Sequence, residues 1–349
     1  MTVQVLPFAP RLASEREWAM YHRFRRVRHQ ERDPDDPLLD DRTTEKLMKR
    51  RDPEWESLYF AAIEEEAPDA LLGWVRIDVT REDALTHETN GHMAWADVEI
   101  LAPHRRQGIG RILLAKAVEI ARERGRSLLV GGTDEADGRG FIEAMGGQVA
   151  QRWRESRLYL DQVDWDMIER WVEEGQTRSP NTTLRFFTNY LDDTLVEDFC
   201  EVLQEVANQE PRGDLEVGDE FVTPEILKER VDSFVSAGGT LLRAITQEAG
   251  GKIGGLTVMG YFPEEKTLIH QYMTGVKDVY RGRGLGKWVK AAMLLRVRQE
   301  FPQVKIVITG NATSNAAMLS INRRLGFKPY RDGVEAQIPL DAVEAYLAK

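Results

Sequence analysis

Cysteine is nearly absent from the chain: Cys200 is the only one in 349 residues. That excludes an intrachain disulfide framework. Cys200 stands in the amphipathic run Leu195 to Ala207, so it reads as a core thiol and not as a nucleophile. No stretch of 18 apolar residues occurs, so no transmembrane helix is expected. Met1 to Arg11 lacks the basic, apolar, small order of a signal peptide. The six histidines form no metal-spaced cluster, and HExxH, CxxC and EF-hand patterns are missing. GxSxG and GxxxxGK[ST] are missing too. Positive charge is in deficit, with 47 Lys and Arg against 58 Asp and Glu, a net charge of -11. Such a surface repels nucleic acid and anionic membranes in general. These absences predict a cytoplasmic protein with no metal, no nucleic-acid partner and no membrane.

What is present is a loop that occurs twice. Arg105-Arg106-Gln107-Gly108-Ile109-Gly110 and Arg281-Gly282-Arg283-Gly284-Leu285-Gly286 both read R-x-x-G-x-G, 176 positions apart. Each follows an apolar run and precedes a helical one. A second echo supports the first. Glu45 to Asp52 matches Glu225 to Asp232 at four of eight positions, with an offset of 180. Two long units at a near-constant offset mean a duplicated domain and not a solenoid. The length and the 42% hydrophobic content allow each unit a core of its own. The periodicity predicts a strand at Val3 to Phe8, helices at Ser14 to Glu31 and Thr43 to Arg51, and strands at Leu58 to Ile63, Leu71 to Val79 and His92 to Ile100. A helix follows each glycine loop. Gly175 to Asn181 carries Gly, Thr, Ser and Pro and reads as the linker. The expected domains are 1–163, a helix and linker at 164–181, and 182–349.

A strand that ends in glycines and enters a helix points several backbone N–H groups the same way, at the positive end of the helix dipole. Such a nest binds phosphate. The adjacent arginines add charge-assisted bonds, and Arg283 and Lys287 add charge to the second copy. A Rossmann dinucleotide site would need G-x-G-x-x-G after the opening strand, and neither loop meets that.

The pattern resembles the acyl-CoA signature Q/R-x-x-G-x-G/A of the GCN5-related N-acetyltransferase (GNAT) superfamily, matched at Arg105, Gly108, Gly110 and at Arg281, Gly284, Gly286. The resemblance implies an α/β (α+β) fold of two tandem GNAT-like domains, each a mixed, mostly antiparallel central sheet flanked by helices. It implies acetyl-CoA as co-substrate. The backbones of Ile100 and Val276 would pair with its pantetheine arm. Residues Arg105, Arg106, Gln107, Gly108, Ile109, Gly110 and Arg111 would hold its diphosphate in one unit. Arg281, Gly282, Arg283, Gly284, Leu285, Gly286 and Lys287 would do so in the other. Asn315 matches an asparagine that lies near the pantetheine, and Leu325-Gly326-Phe327 matches a further family element. The family's general-acid tyrosine falls at Asn322, a departure, with Tyr272 or Tyr280 as other proton sources. In the first unit Glu135 replaces Asn315, Ile142 replaces Asn322 and Met145-Gly146-Gly147 replaces Leu-Gly-Phe. The first unit is therefore expected to be the eroded copy and the second the catalytic one.

The implied reaction is acetyl transfer to the primary amine of a small, cationic acceptor by direct attack. The alternative is an acyl-CoA-binding regulatory protein with little turnover. By period two, His270, Tyr272 and Thr274 share one face of their strand. His270 is the best-tuned base candidate there. Asp97 and Glu99 occupy the comparable strand of the first unit. The acidic loops Glu31 to Asp41 and Glu210 to Glu220 are expected to cover the acceptor sites and attract a cation. The expected assembly is a monomer with pseudo-dimeric domains, or a homodimer.

Overall fold

A computed structural model describes residues 2–349. In chain order the first stretch runs β1 (Val3–Phe8), α1 (Glu15–Arg32), α2 (Asp41–Lys49), β2 (Trp55–Glu64), β3 (Ala67–Thr80), α3 (His87–Asn90), β4 (Met93–Ile100), α4 (Ile109–Glu123), β5 (Leu128–Thr133), α5 (Ala136–Ala144) and β6 (Gln148–Tyr159). The second runs α6 (Trp165–Arg178), β7 (Thr183–Thr188), α7 (Asp193–Asn208), α8 (Pro224–Ser236), β8 (Thr240–Gln247), β9 (Ile253–Tyr261), β10 (Leu268–Val276), α9 (Leu285–Glu300), β11 (Ile306–Ala312), α10 (Ala316–Leu325), β12 (Lys328–Pro339) and α11 (Leu340–Leu347).

The compact units are not the two continuous halves that the sequence suggests. The first holds 1–151, 213–219 and 333–349, and the second holds 152–212 and 220–332. The first unit orders its strands β1-β2-β3-β4-β5-β12, and the second β6-β11-β10-β9-β8-β7. The domain bounds expected from sequence are thus corrected at both ends. Most of β6, with α6, serves the second unit, while most of β12, with α11, serves the first. In each unit one pair is parallel, β4 with β5 and β10 with β11. Antiparallel pairs surround it, such as β3 with β4 and β9 with β10. The mixed, mostly antiparallel sheet flanked by helices is the expected architecture.

Each sheet buries both faces. In the first unit α4 packs Ile109, Leu113 and Ala117 on Val75 and Ile77, while α1 packs Trp18 and Phe24 on Phe8 and Trp74 across the other face. In the second, α9 packs Met293 and Val297 on Leu242 and Met259, while α7 packs Phe199 and Val202 on Ile245 and Val258. Truncating one such leucine or phenylalanine to alanine costs about 2–5 kcal/mol.

Two local expectations also change. The supposed linker glycine, Gly175, lies inside α6, and a Cβ there would overlap the Trp288 ring. It is a close-packing glycine between α6 and α9. The acidic loop Glu210 to Glu220 does not simply shield the second unit, since residues 213–219 pack with the first. There Leu215 and Val217 join Met93 and Val130, and the Gly218 N–H donates to Asn90 Oδ1 at 2.7 Å.

Candidate functional site

Both parallel pairs come apart before their strands end. In the first unit the β4–β5 ladder covers Met93 to Trp95, after which β4 runs on to Ile100 beside β3 alone. In the second the β10–β11 ladder covers Leu268 to Gln271, and β10 then continues to Val276 beside β9 alone. Each unit therefore has a wedge whose one wall is an unpaired strand edge. Unpaired backbone groups there are available to a ligand that can act as a further strand.

A 3-10 turn closes each wedge at the strand end, Ala102–His104 and Asp278–Tyr280. Its first N–H is held by a glutamate of the unit's long helix: Ala102 by Glu31 and Asp278 by Glu205, both at 2.8 Å. The glycine loop follows. Arg106 (φ 60°) and Gly108 (φ 84°) are left-handed, as are Gly282 (φ 81°) and Gly284 (φ 78°). The non-glycine at Arg106 carries a strain that Gly282 avoids. Gly108 and Gly284 stand as the N-caps of α4 and α9, and neither helix has a side-chain cap. Their first-turn N–H groups lack intrahelical acceptors. The space over Gly108 and Gly282 is open where a Cβ would sit. Ile109 and Leu285, each 1% exposed, pin the two helix starts into their cores. The loops thus fit an anion such as a diphosphate.

The surrounding cations differ between copies. Arg106 is exposed, and Gln107 donates to the Pro103 carbonyl at 2.9 Å. Arg105 Nε donates to the Ile100 carbonyl at 3.1 Å, and its other nitrogens meet Glu135 (2.9 Å) and Asp137 (3.3 Å). Arg111 donates to the Leu347 carbonyl at 2.5 Å and stacks over Tyr346. In the second loop Arg281 bonds Asp278 and Gln209, Arg283 bonds Glu248 and Thr182, and Lys287 bonds Glu174. The extra charge expected of Arg283 and Lys287 is therefore already answered by carboxylates.

The strand faces that look toward α1 and α7 differ more. In the first unit Glu99 and Asp97 pair across the ladder with Trp74 and Arg76, below Tyr21 and Tyr59. Glu99 stands one residue before Ile100. Burial raises its pKa, the charge on Asp97 adds to this, and Arg28 and Arg32 pull the other way. Burial also pushes the Tyr21 phenol up to about 12, with Glu99 contributing, so it remains a proton donor. Asp97 and Glu99 are legible in the sequence, whereas Tyr21 lies in the helical run Ser14 to Glu31 with nothing to set it apart from a packing residue.

In the second unit the register shifts between Gln271 and Met273. This corrects the period-two assignment. His270 and Met273 pair with Gly260 and Val258, whereas Gln271 and Thr274 pair with Met259 and Thr257. Gln271, Thr257 and Thr274 indeed share hydrogen bonds. Tyr272 is left at the bulge, half-exposed and stacked on His270. His270 Nε2 lies 3.0 Å from Glu265 Oε1, on the paired part of the strand rather than at the wedge. Where the first unit has Glu99, the second has Gly275, and Val206 of α7 presses on it so closely that a Cβ would overlap its methyls. Val276 lies against Gly286.

The remaining candidates lie on the α9 side. Asn315 caps α10, accepting from the Met318 N–H at 3.1 Å. Asn322 is 2% exposed, accepts from Lys290 Nζ at 2.6 Å and donates to Asn311 Oδ1 at 2.8 Å. It is enclosed and engaged, not presented to a ligand. Lys290 was missed, although a lysine inside the apolar run Trp288 to Leu295 was a visible signal. It is 1% exposed, and burial pushes its pKa down to about 7. The acidic loop after α1 is also neutralised internally. Arg25 and Arg26 both bind Asp41, and Arg25, Arg26, His29 and Arg42 help line a cavity of about 830 Å³ there. No cluster suited to a metal ion occurs among the described residues, and no helix among them is long and apolar enough to cross a membrane.

Wedge, uncapped glycine loop and mixed sheet are each present twice, which makes this a tandem α/β protein. Residues 18–146 match the model of the Acetyltransferase (GNAT) family. That match falls on the unit whose late segment departs further from the family pattern. Among solved structures the chain is similar to a tandem GNAT protein from the clavulanic acid biosynthesis pathway, at 19% identity and a TM-score of 0.75, covering 97% of this chain and 99% of that one. It is similar to a GCN5-related N-acetyltransferase from Sphaerobacter thermophilus, at 14% identity, TM-score 0.65, with 97% and 96% covered. It is also similar to Saccharomyces cerevisiae N-myristoyltransferase, solved with bound myristoyl-CoA, at 10% identity, TM-score 0.58, with 97% and 80% covered. These likenesses are of fold. No curated protein matches the chain by sequence.

Proposed function

We propose that the protein is an acyl-CoA N-acyltransferase that transfers an acetyl group to the primary amine of a small acceptor, with the chemistry in the first unit. One observation carries this reading: Glu99, a carboxylate with a raised pKa, stands at the end of the unpaired β4 edge, one residue before Ile100. A group that must take a proton from an amine works best with a pKa brought toward neutrality. Acetyl-CoA would supply a thioester whose carbonyl carbon is attacked by the amine nitrogen, the C–N bond forming as the C–S bond breaks. Glu99 accepts the proton that the amine loses. Asp97, exposed beside it, favours a cationic acceptor, and Trp74 and Tyr21 close the apolar side of the cleft. The α4 N-terminus and Arg106 hold the diphosphate, joined by Arg105 of the same loop, whose guanidinium Glu135 occupies in the ligand-free protein. Much of the acceleration would come from holding amine and thioester together.

A second reading concerns the other unit. Val206 over Gly275, and Asn322 enclosed with Lys290, favour a unit that binds acyl-CoA without turnover. The test of the main reading is thiol release from acetyl-CoA against a panel of amines. Glu99→Gln should abolish release while CoA still binds. Unchanged release would sink it, and a loss in His270→Ala instead would move the chemistry to the second unit.

A further inference from the structure

The same position in the two units has opposite wiring. Glu135 is the N-cap of α5 and Asn315 is the N-cap of α10. Asn315 turns inward and caps its own helix. Glu135 leaves its helix without a side-chain cap and reaches out to Arg28 of α1 and to Arg105 of the glycine loop, the latter at 2.9 Å. Arg105 is thereby held on the Ile100 carbonyl, the last acceptor of the open strand edge. Asp137 adds a second contact to Arg105, and Arg32 pairs with Asp134 at 3.0 Å beside it. Three elements that border the wedge are thus tied by ion pairs: α1, the loop and the head of α5. Burial alone would raise the Glu135 pKa, but Arg28 and Arg105 hold it below the usual range, so it stays ionised. In the second unit no ion pair joins α7 or the glycine loop to the head of α10 among the described residues.

We propose that Glu135 is an internal stand-in for the anionic ligand of the first unit, holding Arg28 and Arg105 across the wedge so that acyl-CoA enters only by displacing it. Glu135 is then the residue that sets which of the two wedges fills first. A carboxylate on a guanidinium and a phosphate on the same guanidinium use the same paired donors, so one excludes the other. A ligand that must first break such pairs binds with an affinity reduced by the fraction of open protein. The proposal rests on the reading that the loops cradle CoA.

The test isolates the first wedge by placing Gly284→Glu in the second loop, then titrates CoA by calorimetry with and without Glu135→Asn. Glu135→Asn should tighten CoA binding by at least about 10-fold. In stopped-flow mixing, the observed association rate of the Glu135 protein should level off as CoA rises, because opening limits it. The Glu135→Asn protein should rise linearly. Thermal unfolding without ligand checks that each variant folds. Glu135→Gln, which keeps the shape and removes the charge, serves as a second variant and should behave as Glu135→Asn does. Unchanged or weaker binding in folded Glu135→Asn and Glu135→Gln overturns the stand-in while leaving the loop reading intact. No CoA binding in any of these proteins overturns the loop reading, and the stand-in with it.

Discussion

The two units share a frame and differ in what fills it. Both have a wedge, a glutamate-held 3-10 turn and an uncapped helix behind a left-handed glycine. On the strand face toward the unit's long helix the first unit carries Trp74, Asp97 and Glu99, and the second carries Gly275 under Val206. On the helix side the first unit carries the Glu135 ion pairs, and the second a buried Lys290, Asn322 and Asn311 chain. A duplicated backbone therefore preserves a frame while its two linings diverge. On the proposed reading, the lining and not the loop decides which unit carries the chemistry.

The sharpest way to break this comparison is Glu99→Gln. Loss of a general base lowers rate by about 10²–10⁴-fold. The wild-type rate should rise with pH through the raised Glu99 pKa, because only the carboxylate accepts a proton, and the variant should lose that rise. Equal loss from His270→Ala would erase the distinction. Next is Lys290→Met, read by urea unfolding against pH. The folded amine titrates near pH 7, well below its ordinary value. Between those values the unfolded chain holds the extra proton, so stability should climb with pH, by up to ~1.4 kcal/mol per unit. Lys290→Met should flatten that climb; an unchanged slope would show that Lys290 is not buried in neutral form. Asn315→Ala should cost about 1 kcal/mol through loss of the α10 cap, whereas Glu135→Ala removes no cap and acts only by stripping Arg28 and Arg105 of their ion-pair partner. Unfolding midpoints of the two variants check this. The smallest effect is expected from Arg106→Gly, which relieves a left-handed non-glycine and should stabilise the chain by up to ~1 kcal/mol. A fall in stability would mean that Arg106 makes a compensating contact.

Much of the frame was legible in the sequence. The repeated R-x-x-G-x-G loops, the strands before them and the helices after them follow from local pattern, and local pattern survives duplication. The face of β10 was not legible, because a bulge at Tyr272 interrupts the period-two rule on which facing residues are assigned. Glu99 was visible as a residue but not as a perturbed one, since its burial and the cations Arg28 and Arg32 of α1 come from a part of the chain far off in sequence. Lys290 stands in an apolar run, but helical lysines are usually exposed, so its burial does not follow from local pattern alone. The unit boundaries were hidden for a different reason. A strand that completes one sheet has the same alternation as a strand that completes its copy, so no local signal reveals which slot it takes.

That crossing of β6 with α6 and β12 with α11 sets a timetable for synthesis. Chains emerge from the ribosome N-terminus first, and domains generally fold as they appear. Here the strand beside β5 is β12, made last. The first unit must wait, with one sheet slot vacant, until nearly the whole chain exists. A gene cut between the halves would leave each product with a strand it does not need and without one that it does.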